Sequence, residues 1–179
     1  MADHITRYDL MPIPPVEKQT RWFEAGRLRI GVEYRLLTDA IAASSEVQPA
    51  SGAVSADSQS FDDRGVSLHV CVEGRGEFLE RLRFDCFEED PHYHYVSWEE
   101  RANEVLHLDP IADGDPLHWA LERIRTRLAQ MLERAGVKDA AGCVDPVLLE
   151  EALPRVTEAA FAARFHADED SVLRDALGS

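Results

Sequence analysis

Between Arg27 and Leu37 the chain changes character at every step, with Leu28, Ile30, Val32, Tyr34 and Leu36 alternating with Arg27, Arg29, Gly31, Glu33 and Arg35. A period of two sends successive side chains to opposite faces of an extended chain, so this stretch predicts a strand with one face on a core and the other charged. The pattern returns at Gly65. Val66, Leu68, Val70 and Val72 alternate with Ser67, His69, Cys71 and Glu73, and Gly74-Arg75-Gly76 reads as a turn into a third strand, Phe78 to Phe87. There Leu82, Phe84 and Cys86 point inward, and Arg81, Arg83 and Asp85 point outward. Cys71 and Cys86 therefore fall on opposite faces. Glu88-Glu89-Asp90-Pro91 is a turn by composition, and His92 to Trp98 returns as a fourth strand. Ser97 and Glu100 have capping-box spacing and fit a short helix, but Val105 to Leu108 reads better as a fifth strand, reached through a loop over Glu99 to Asn103.

From Asp115 the period changes. Asp115 fits an N-cap, Pro116 the first helical position, and Gly136 the place just past the end. Between them Leu117, Leu121, Ile124, Leu128, Met131 and Ala135 recur at spacings of four and three. Such a helix is about 30 Å long, enough to cross a five-stranded sheet. Its stripe also fits a homodimer seam through residues 116–135, although fewer than three heptads favour covering the sheet. Asp145-Pro146 repeats the cap-plus-proline device and opens a helical region to about Phe165, with a break expected near Pro154. Ala152, Val156, Ala159, Ala160, Ala163 and Phe165 offer it a packing face, and Asp168 to Leu177 predicts a last short helix.

The fold class that follows is α+β: an antiparallel meander of about five strands, covered on one face by a long helix, with a helical C-terminal tail. Residues 1–26 read as a stiff, extended arm, because Pro12, Pro14 and Pro15 fix the backbone. Residues 27–136 form the sheet-plus-helix domain, and 137–179 a helical extension packed on it. Residues 38–64 are rich in alanine and serine with little to bury, which predicts a flexible insertion.

The net charge of -15 excludes function classes that need a concentrated cationic patch, so duplex DNA, RNA and anionic membranes are unsuited partners, while a protein or a small ligand fits. The N-terminus has neither the basic start nor the apolar run of a signal peptide, and three cysteines at uneven spacing do not make a disulfide framework. A cytoplasmic setting is expected.

Chemistry concentrates on the polar side of the ribbon. In this register His69, Arg81, Arg83 and Asp85 share the sheet face away from the long helix, and His92 and His94, two residues apart, join them. Two histidines at that spacing on a strand can bind one metal, with His69 or Asp85 completing an open three-ligand shell. The bland reading is a solvated face of cross-strand ion pairs with histidines among them. His107 reads as a partly buried strand residue, and His118 as a partner of Asp115 in the first helical turn. Trp98 and Trp119 read as core residues that could also line a pocket beside the histidines.

The string His92-Tyr93-His94-Tyr95-Val96-Ser97-Trp98-Glu99 resembles the first metal-binding motif of the cupin family, HxH followed after three or four residues by Glu. The resemblance implies His92, His94 and Glu99 as metal ligands. It covers only this stretch: Cys86 and Leu106 stand where cupins carry glycines, and the helical signals after Asp115 do not complete a jelly-roll barrel. Two functions remain. The first is a non-catalytic binding or protein-interaction module using the polar face. The second is a metal-dependent enzyme with a divalent ion on the histidine pair.

Overall fold

A computed structural model describes residues 5–37 and 63–177. The predicted insertion, apart from its last two residues, lies outside the described residues. The alternating segments form one antiparallel sheet of seven strands: β1 (Ile5–Tyr8), β2 (Arg21–Ala25), β3 (Leu28–Leu37), β4 (Asp63–Gly74), β5 (Glu77–Phe87), β6 (His92–Ser97) and β7 (Ala102–His107). Their order is β1-β7-β6-β5-β4-β3-β2, a meander from β2 to β7 with β1 added beyond β7. The sheet thus exceeds the five predicted strands by two, both drawn from the supposed arm. Short edge strands are specified by backbone pairing to a neighbour, here Ile5 to Leu106 and Phe23 to Ile30, which residue types do not announce. For the same reason β7 starts at Ala102, inside the predicted loop.

Helix α1 (Pro116–Arg134) begins where its signals say: the Asp115 carboxylate accepts the His118 backbone N–H at 2.9 Å, and Gly136 adopts φ +84° past the end. Its stripe, including Leu117, Ile124, Leu128 and Met131, is buried against the chain's own sheet and C-terminal helix, with Leu132 beside it. The stripe is thus used within the chain, in the role of covering the sheet. A short helix α2 (Ala140–Cys143) follows, then α3 (Pro146–Leu177), which packs on β2 and β3.

Helix α3 runs unbroken through Pro154 and on to Leu177, where a break and a separate last helix were expected. A mid-helix proline costs roughly 3 kcal/mol. Burying a leucine or valine side chain returns about 1.5–3 kcal/mol each, and Leu149, Leu153 and Val156 are buried around the proline. Packing therefore offsets the lost backbone bond. Phe165, placed on that face by periodicity, is instead exposed.

The polar face is the largest departure. It is not solvated: Glu33, Ser67, His69, Arg83 and Asp85 are all at most 3% exposed. Because β1 and β2 lie on opposite edges, residues 9–20 must cross this face to join them. The crossing segment is pinned by Arg83 Nη2 donating to the Ile13 carbonyl at 2.6 Å and by the Val16 N–H donating to Glu33 at 3.3 Å.

Gly65 in β4 stands opposite Phe87 of β5 at close backbone approach. A Cβ there would press on the Cys86 carbonyl and stand 2.8 Å from Phe87 Cα, both backbone atoms that cannot yield. Gly65→Ala should cost about 1–3 kcal/mol, measured as a lowered urea midpoint.

Candidate metal centre

Two polar rows run across the sheet under the crossing segment. One is Glu33–Ser67–Asp85–His92–His107, each residue the Cα partner of the next from β3 to β7; beside it stands Gly31–His69–Arg83–His94–Val105. The alternation read from the sequence generates both rows.

Side-chain contacts then divide them into two clusters. In the first, His69 bridges two carboxylates, with Nδ1 2.6 Å from Glu80 and Nε2 3.1 Å from Glu33. Carboxylates only accept, so both ring nitrogens donate and the ring is an imidazolium. Arg83 donates twice to Glu80, at 2.9 and 2.7 Å. Burial pushes His69 down, but the hydrogen bonds to Glu33 and Glu80 outweigh it and hold it above its ordinary value of 6.5. For Glu80, burial acts upward and is overcome by the Arg83 charge and the His69 hydrogen bond, which bring it to about 2.

Because His69 titrates higher folded than unfolded, its contribution to stability is complete below 6.5 and is lost as pH rises through the raised folded value. Urea midpoints should fall as pH rises above 6.5, and His69→Gln should remove much of that fall. A slope identical in the variant would contradict the assignment.

In the second cluster, Asp85, His92 and His94 converge, with ligand atoms within 4.8 Å of one another. Asp85 Oδ2 lies 3.1 Å from His94 Nε2 and 3.4 Å from His92 Nε2. Asp85 Oδ1 accepts the Ser67 hydroxyl, which fixes the carboxylate. His92 Nδ1 donates to the Asp90 carbonyl at 2.7 Å, and His94 Nδ1 to Asn103 Oδ1 at 2.9 Å. With each Nδ1 committed to its own partner, both Nε2 atoms face Asp85 Oδ2, where a ring proton or a shared cation satisfies the contact.

Burial pushes Asp85 up, but hydrogen bonds from His92 and His94 and the Arg83 charge hold it well below the usual carboxylate range. Burial likewise pushes His92 down, and its contact with Asp85 brings it above 6.5; for His94 burial prevails and the ring is lowered. Asp85 and His94 are buried, whereas the His92 side chain keeps 14% of its surface, beside Phe87 and His107. The cluster opens on that side, toward an exposed His107–Asp90 pair at 2.7 Å.

The other sequence candidates lie elsewhere. A bulge between Val70 and Cys71 places Glu80, not Arg81, opposite Cys71. Arg81 instead grips Glu99 through two bonds of 2.6 and 2.8 Å, so Glu99 does not join His92 and His94 as the cupin-like spacing implies. His69 faces Glu33 and Glu80 rather than Asp85. His107 is exposed rather than partly buried, the His118 ring packs on Phe161 at 4.9 Å, and Trp98 is 40% exposed with its N–H on the Glu80 carbonyl. Trp119 lies across the sheet, against Tyr93.

Sequence reasoning missed Glu33, Ser67, Glu80 and Asn103 as site partners. Glu33 and Ser67 carry a signal in the polar half of their strands; Glu80 is hidden by the bulge, and Asn103 lies in the supposed loop.

No described helix is long and apolar enough to cross a membrane. No curated protein and no solved structure matches the chain. The sequence model of one family, described as a domain of unknown function (DUF7700), matches residues 22–160, from β2 through the first half of α3 and including both buried clusters, and the chain belongs to that family.

Proposed function

We propose that the protein binds one divalent transition-metal ion through Asp85 Oδ2, His92 Nε2 and His94 Nε2, and that it is a metal-dependent enzyme. The observation that carries this reading is the shared orientation of the three donor atoms, each ligand held from behind by its own partner: Ser67 on Asp85, the Asp90 carbonyl on His92, Asn103 on His94. Outer partners of this kind set the tautomer and orientation of metal ligands. Donors about 2.0–2.1 Å from one ion stand about 2.9–3.4 Å apart in octahedral or tetrahedral geometry, which matches the 3.1 and 3.4 Å separations from Asp85. Two imidazoles and a carboxylate suit zinc, iron(II) or manganese, and three protein ligands leave positions open for water or substrate, as catalytic sites do. The acidic surface favours a small-molecule or protein substrate over nucleic acid. Three free thiols fit a reducing cytoplasm.

The test is metal content and calorimetric titration with zinc and iron(II). One equivalent should bind, and His92→Ala and His94→Ala should abolish binding. Ser67→Ala or Asn103→Ala should weaken it about 10–100-fold, and Glu99→Gln should leave it unchanged. Unaltered binding in the double histidine variant would refute the site.

A second reading, a binding module without chemistry, is favoured by the burial of Asp85 and His94 within a network that satisfies them internally. Protein that folds normally and takes up no metal would select it.

A further inference from the structure

The other face of β6 carries Tyr93 and Tyr95, and between them and α1 lies a cleft of about 350 Å3. Its helix side presents Trp119, Arg123, Arg127 and Arg134, with Gln130 and Met131 completing the lining. We propose that this cleft binds a small organic anion bearing a planar aromatic ring, at a site independent of the metal centre.

Among the described residues the lining holds three guanidinium groups and no carboxylate, on a chain whose net charge is -15. An accumulation of like charge on an otherwise opposite surface is costly unless something anionic meets it. Arg134 stacks over the Tyr95 ring at 4.0 Å and also donates to Glu104 at 3.2 Å; Arg123 lies 5.0 Å from the Trp119 ring and 3.9 Å from Glu122. Arg127 is exposed and has no carboxylate partner among the described residues.

The walls supply the second half of the specificity. Tyr93 and Trp119 stand 5.1 Å apart and Tyr93 and Tyr95 5.6 Å apart, offering ring faces and edges to a planar guest. Trp119 Nε1 is buried with no acceptor among the described residues, so its N–H, on a ring that lines the cleft, reports on what enters there without a competing hydrogen bond. Guanidinium groups pair bidentately with carboxylate and phosphate and stack on rings, so both ends of such a ligand are recognised. The volume suits one or two fused rings with an acid group, at the small end of ligand sites.

The experiment follows the Trp119 indole N–H by proton–nitrogen NMR, assigned with Trp119→Phe, during titration of the intact protein with 2-naphthoate. Saturable shifts are expected, with cyclohexanecarboxylate (the charge without the ring) and 2-naphthalenemethanol (the ring without the charge) binding at least tenfold more weakly. Arg127→Glu should weaken naphthoate at least tenfold. Arg125→Glu, on the same helix but outside the cleft, should not. Adenosine monophosphate in parallel distinguishes a phosphate-bearing guest from a carboxylate. No saturable shift by about 10 mM, equal binding of the uncharged ring, or indifference to Arg127→Glu would each overturn the proposal. None of these readouts depends on metal at Asp85, His92 and His94.

Discussion

Replacing Arg83 by methionine is expected to lower the stability of the protein by about 3–5 kcal/mol, because a buried charge network would lose its main cation. Arg83 is 2% exposed and gives two hydrogen bonds to Glu80 and one to the Ile13 carbonyl. Without it Glu80 stays buried with His69 alone to balance it, while Glu33 draws on the same imidazolium. The cost is dominated by the uncompensated carboxylate, not by the lost bonds, so adding Glu80→Gln should recover part of it. Urea unfolding of the single and double variants measures both effects. The substitution should also release the crossing segment, read as faster proteolysis between residues 9 and 20. Glu80 would lose its largest downward influence, so the single variant should unfold in acid at a higher pH than the parent. A loss below about 1 kcal/mol, the scale of an exposed pair, would show that water reaches the network.

Phe84→Ala should cost a similar amount, about 3–5 kcal/mol, for a different reason. Phe84 is 1% exposed, stacks on Tyr93 at 6.1 Å and meets the edge of Trp119 at 6.3 Å. Its loss removes transfer free energy and leaves a cavity between sheet and α1 that the flanking rings only partly fill. Calorimetric melting gives the stability change, and the Trp119 fluorescence should shift as its contact disappears. Uptake at the proposed metal site should survive in folded protein, since Asp85, His92 and His94 face the other way. If metal affinity fell together with stability, the two faces would be coupled through β5 and the separation argued above would fail.

These two substitutions also mark how far the sequence could be read. Phe84 as a core residue follows from its place in the apolar half of a period-two strand, because burial of one strand face is a local pattern. So does the sidedness of His92 and His94. The partners of Arg83 do not follow: Glu80 reaches it only because a bulge shifts β5 against β4, and Ile13 only because the chain returns over the sheet from the opposite edge. Arg81 shows the converse, since simple alternation groups it with Arg83 and Asp85, yet one extra residue in the ladder gives it to Glu99. The spacing that suggests Glu99 as a ligand is likewise a statement about distance along the chain.

From its residues alone, then, this protein determines which positions extend, which coil, and which side of each strand meets the core, because those follow from periods of two and of three to four. Tertiary structure decides which polar groups meet. It adds the two edge strands, sets the register that lines Asp85 up with His92, and draws residues 9–20 over the charged face, turning what alternation alone reads as a wet surface into a second interior. The physical reason is that strand pairing and chain crossing are closed by backbone hydrogen bonds and buried ion pairs between residues far apart in sequence, and a local pattern holds no record of them.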